Sequence, residues 1–194
     1  MIPIVLLTSS VLFADISENE FLKLYKDISI EQDSTKKLDG AVKILKEGDD
    51  YQKFLILKPA ADASYDLGKF SDAKIYATQM LSLAMHFQKD WNYGNAIHNG
   101  NIILGLVALK QDDVNSAKEY LIKAGSTPGS PQLKTFGPNM SLANELLDKG
   151  QKEIVIEYFE QCKKFWEMND GRLDSWIASI RGGGKPYFGA NLEF

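Results

Sequence analysis

Residues 93–140 read YGNAIHNGNIILGLVALKQDDVNSAKEYLIKAGSTPGSPQLKTFGPNM, and their pattern decides the fold. Apolar side chains recur at spacings of three and four across residues 96–110 and again across 114–124, the periodicity of a helix with one buried face. Gln111, Asp112 and Asp113 interrupt the two runs, so the stretch predicts an antiparallel helical hairpin with Ala117, Leu121 and Ala124 facing inward. The following residues, 126–139, hold three prolines and two glycines. Pro fixes φ and Gly permits turns closed to other residues, so this connector is expected to hold a definite path. A loop of that length serves either as a functional element or as a cover for neighbouring helix ends.

The pattern repeats on both sides. Upstream, Phe21, Leu22, Leu24, Tyr25 and Ile28 predict one helix, and Leu38, Ala41, Val42, Ile44 and Leu45 predict a second that starts at an N-cap Ser34 or Thr35 and ends at Gly48. Pro59 suits the first turn of a further helix closing at Gly68. Ser71 then reads as the N-cap of its partner, in which Ala73 and Ala77 leave room for close approach. Downstream, helices over residues 139–149 and 152–166 flank Gly150, with Ile154, Val155, Tyr158, Phe159 and Cys162 inward. A short helix around Trp176, Ile177 and Ile180 ends at Gly182, and the apolar tail of residues 185–194 is expected to dock back on the helices. The fold class is therefore all-α: antiparallel helical hairpins stacked as an irregular array.

In the middle hairpin, Leu104-Gly105, Ala108, Ala117 and Ala124 stand where two helices need small residues to pack closely. That pattern resembles the tetratricopeptide repeat. The first unit keeps Gly68, Phe70 and Ala73 but has Ala61 in place of the helix Gly; the third keeps Ala143 and Gly150 but has Val155 in place of the small Ala. Gly68, Asp112 and Gly150 lie further apart than the repeat's usual ~34 residues, so the units are irregular. The extra length is assigned to a longer helix near residues 85–90 and to the connector. The likeness covers residues 54–166. The connector string G-S-P-Q-L-x-x-F-G-P-N-M is also similar to that of bacterial repeat-like proteins of unassigned role. The resemblance implies an α-α superhelix whose inner helices line a groove, with Tyr65, Asp66, Asn99, Lys110 and Asn144 turned towards it and a protein or peptide segment as partner.

Composition narrows the function classes. The chain has 194 residues, 44% of them hydrophobic, enough for one domain over residues 15–194. A net charge of −4 leaves no basic excess for phosphates, so nucleic acid is not an expected partner. Residues 1–14, MIPIVLLTSSVLFA, are uncharged and mostly apolar before the abrupt change at Asp15. They read as a signal peptide, which makes the mature protein periplasmic or otherwise exported; the alternative is an apolar N-terminal segment of the domain. Too short to span a bilayer, they leave no membrane-spanning segment in the mature chain. Cys162 is the only cysteine and reads as a buried structural thiol.

Asn95, His98, Asn99 and Asn101 place three amides and an imidazole within two helical turns. Such groups donate and accept hydrogen bonds without net charge, which suits a peptide backbone, a carboxylate or a sugar, and so a protein segment or a small polar ligand; they equally suit capping and tying down the connector. Tyr65 and Leu106 would add apolar contact area. His86 and His98 lack the spacing of a helical metal pair, and Gly182-Gly183-Gly184-Lys185 lacks that of a phosphate loop, so no cofactor or metal is expected. These residues predict a non-catalytic protein- or peptide-binding repeat protein. A structural component of a cell-envelope assembly is the alternative, and a hydrolase using His98 the third reading.

Overall fold

The computed structural model describes residues 16–192, so the stretch read as a signal peptide lies outside the described residues. Ten α-helices are present among them: α1 (Glu18–Ile30), α2 (Ser34–Glu47), α3 (Asp50–Asp66), α4 (Phe70–Ala84), α5 (Tyr93–Lys110), α6 (Val114–Gly125), α7 (Pro131–Thr135), α8 (Ser141–Asp148), α9 (Lys152–Cys162) and α10 (Arg172–Arg181). No helix of the described residues is long and apolar enough to cross a membrane.

Helices α1/α2, α3/α4, α5/α6 and α8/α9 pair as hairpins. Within the stack, α1, α3, α5 and α8 each lie against the next, forming one layer, while α6 rests on α9 in the other. Alanines make this closeness possible: Ala73 and Ala77 of α4, and Ala117 and Ala124 of α6, are fully buried. Gly105 does the same between α5 and α8, because a Cβ there would come within 2.2 Å of a Leu142 methyl. Trp166, Tyr158, Phe159 and Leu173 are completely enclosed at the C-terminal end. Each buries apolar area that stabilises the fold by about 2–3 kcal/mol.

Acidic side chains start several of the helices. Asp49 accepts the Gln52 N–H at 2.8 Å while the Gln52 side chain accepts the Asp49 N–H at 3.1 Å, a complete capping box for α3. Asp113 caps α6 through the Ser116 N–H. For α2 the cap is Asp33, bonded to the N–H groups of Thr35 and Lys36, rather than Ser34 or Thr35. The carboxylate accepts two donors at once, which a single hydroxyl one residue later does not match.

Other boundaries also differ. Pro59 lies in the middle of α3, because the Asp49 cap starts that helix nine residues before it could serve as a first-turn proline. Helix α4 begins at Phe70 after Lys69, not at a Ser71 cap. Residues 85–92 are turns rather than an extension of α4; Phe87 folds back to stack on Phe54 at 5.0 Å, which pulls the chain off the helical path. Helix α8 starts at Ser141, and α9 stops at Cys162, where Phe165 and Trp166 turn inward. The connector contains α7, with Ser130 as N-cap and Pro131 at its first position. The tail does dock: Pro186, Phe188 and Asn191 are buried, and Phe188 meets Trp176 edge-on at 4.9 Å.

Candidate functional site

At 3.6 residues per turn, Asn92, Asn95 and Asn99 share one stripe along the start of α5. Opposite them stand Leu55, Lys58 and Pro59 of α3, and α7 with Phe136 closes the third side. The three walls enclose a groove of about 480 Å³, within the usual range of ligand sites. Two aromatic rings stand at the groove and remain open to solvent, Trp91 at 53% and Phe136 at 58% exposed.

The connector is fixed to α5 by a dense set of hydrogen bonds. Asn95 donates to Asn92 Oδ1 at 2.7 Å and to Gln132 Oε1 at 3.1 Å, and accepts from Ser130 Oγ at 2.5 Å. Thr127 Oγ1 donates to the Gly94 carbonyl at 2.7 Å. Only glycine fits at position 94, since a Cβ would lie 1.8 Å from the Gly129 carbonyl oxygen.

His98 lies beneath this contact with no exposed surface. Its Nε2 accepts the Asn139 N–H at 3.0 Å, and Nδ1 therefore carries the proton that reaches the Ala124 carbonyl at 3.2 Å. Burial, opposed by the Ala124 bond and aided by the charge of Lys58, holds its pKa down at about 4. The ring is neutral at physiological pH and is not among the residues lining the groove.

Asn99 differs from its neighbours. It lines the groove, half-buried, and its carboxamide has no hydrogen-bond partner among the described residues. Lys58 is the one lysine or arginine of the lining and is paired with Asp62 at 2.7 Å.

The remaining sequence-predicted residues do not join this groove. Tyr65 and Lys110 meet near Glu145, with Tyr65 Oη 3.5 Å and Lys110 Nζ 3.7 Å from its carboxylate. Burial, reinforced by Glu145, raises the Tyr65 pKa. Asp66 accepts from Ser34 Oγ at 3.2 Å, and Asn144 is half-buried on α8 outside the groove lining. Leu106 is 8% exposed and belongs to the core, so it offers no contact area. Asn101 turns away from the groove and donates to the Ile97 carbonyl. Cys162 is fully buried and its thiol is pushed far above the ordinary range by burial. Among the described residues no group of three or more His, Cys, Asp or Glu is placed to hold a metal ion.

Sequence reasoning missed Trp91 and Lys58, and held Gln132 and Phe136 only as part of the connector, with no separate role for either. Trp91 carried a signal, a large aromatic among the polar residues Gln88, Lys89, Asp90 and Asn92, whereas Lys58 carried none.

Fold and groove together define an all-helical array of stacked hairpins with one amide-floored groove bordered by aromatic rings. No family model matches the chain, and no curated protein or solved structure matches it.

Proposed function

We propose that this protein is a non-catalytic recognition module, periplasmic or otherwise exported, whose groove takes up an extended segment of a partner protein. Asn99 carries the reading: an uncommitted carboxamide on the groove floor, beside the solvent-open rings of Trp91 and Phe136. A carboxamide donates and accepts at once, which matches the N–H and C=O of an extended backbone. Aromatic rings add apolar contact area while losing few rotamers, the usual make-up of an interface anchor. The tetratricopeptide-like pattern of residues 54–166 and the signal-peptide-like residues 1–14 support the class and the compartment.

Selection of binders from a random-sequence peptide library against the wild-type protein tests the reading. Asn99→Ala should weaken a selected peptide about tenfold, equivalent to 1.4 kcal/mol, while the melting temperature stays put. Unchanged affinity would take the groove out of the reading. N-terminal sequencing of the mature protein tests export, and an intact Met1 would contradict it.

A second reading, a structural part of a cell-envelope assembly, is favoured by Tyr187. It is 88% exposed yet sits between buried Pro186 and Phe188, so an ordered backbone presents it outward. Tyr187→Ala should then abolish co-purification of assembly partners without lowering the melting temperature.

A further inference from the structure

The groove wall formed by Phe136, Gly137 and Asn139 is held by side chains from three distant parts of the chain. His98 of α5 accepts the Asn139 N–H. Tyr158 of α9 donates to the Asn139 carbonyl at 3.1 Å. The third clamp comes from outside the hairpin array: Asn191, in the C-terminal strap of residues 185–192, donates from one amide nitrogen to the Phe136 and Pro138 carbonyls, each at 3.0 Å. Its own main-chain carbonyl accepts the Met140 N–H at 2.7 Å. Asn191 is 4% exposed, and the strap is anchored on either side of exposed Tyr187 by Phe188 against Phe159 and Trp176 and by Lys185 on Asp148 at 2.6 Å.

We infer that the C-terminal strap is a working part of the groove: Asn191 is a positioning residue that sets the wall bearing Phe136 and Asn139, and displacement of the strap loosens the site. The inference rests on the groove being the recognition site. The side-chain chemistry explains the residue type. The carboxamide nitrogen carries two N–H groups, one for each carbonyl; a carboxylate of the same shape has no donor and sets negative charge against two carbonyl oxygens. The Phe136 ring on the wall keeps its place only while the five backbone groups behind it, the Asn139 N–H and C=O, the Phe136 and Pro138 carbonyls and the Met140 N–H, stay bonded. A partner that draws the strap away through Tyr187 thus reaches the groove without touching it.

Asn191→Asp tests this in the full chain, read by amide hydrogen exchange at Asn139, Met140 and Ser141 and by the affinity of a library-selected peptide. Exchange at these amides should quicken at least tenfold while α3 amides keep their rates, and peptide affinity should fall. Unaltered exchange at 139–141 overturns the inference, as does quickened exchange with unaltered affinity. If Asn191→Asp does not fold, native-state exchange of the wild type decides: one opening free energy for the Met140 and Asn191 amides supports a single strap-and-wall unit, and two different values refute it. Failure to select any peptide against the wild type would fault the groove reading alone, because the exchange arm decides the strap separately.

Discussion

Acidification should weaken this protein through one side chain, His98. The folded protein holds it neutral, with a pKa of about 4 against an ordinary 6.5, so the unfolded chain takes up a proton that the folded one refuses. Between those values the unfolded state binds more protons, and stability therefore rises with pH and falls as pH drops. At about 1.4 kcal/mol per pH unit the full loss is about 3 kcal/mol, of which about 2 kcal/mol falls between pH 7.5 and 5. The physical cause is visible in the bonding. A protonated ring has two donors, so it no longer accepts the Asn139 N–H, and its charge is buried and repelled by the Lys58 ammonium, with the Tyr158 ring nearly parallel to it at 6.5 Å. Glu31, Asp33 and Asp113, whose carboxylates accept backbone N–H groups and titrate below their ordinary values, lose their contributions only at more acidic pH. Urea unfolding at stepped pH measures the effect, with His98→Gln as the control that keeps a neutral donor and acceptor. The wild type should lose about 2 kcal/mol from pH 7.5 to 5, and the variant should be nearly flat. Equal slopes in the two proteins would refute the assignment.

Gly94→Ala should lower stability by about 2–3 kcal/mol even though alanine is the better helix former by about 1 kcal/mol, because the new methyl meets the Gly129 carbonyl; chemical denaturation checks it. Asp49→Ala should remove the α3 capping box at a cost of about 1 kcal/mol and lower the melting temperature by roughly 2–4 °C in calorimetry. Trp91 is the exposed tryptophan, Trp166 and Trp176 being buried, so acrylamide should quench mainly Trp91, a bound peptide should protect it, and Trp91→Phe should erase the protection.

Helical periodicity made the hairpins legible because it depends on local spacing alone, and the fully buried alanines of α4 and α6 show that the same spacing also carried the packing. Pro59 misled because a proline in a first turn and one inside a helix look alike until the cap at Asp49 is known. The polar cluster of α5 was legible as a cluster but not as separate roles. Helical spacing sets Asn92, Asn95 and Asn99 on one stripe, turns His98 aside towards α6 and puts Asn101 on the far side. What the sequence could not convey was the partner of each group. Asn95 is consumed by Ser130 and Gln132, more than thirty residues away, and Asn191 reaches the wall from the other end of the domain. Such contacts depend on tertiary closure, which no local pattern encodes.

The most direct measurement of the groove's role is the perturbation of side-chain amide signals in the NMR spectrum as a selected peptide is added. Asn99 and Gln132, with Asn92 and Asn95 beside them, should shift together with the Trp91 indole signal. Shifts confined to the outer faces of α2, α4 and α6, or to the strap around Tyr187, with the groove amides unmoved, would contradict it.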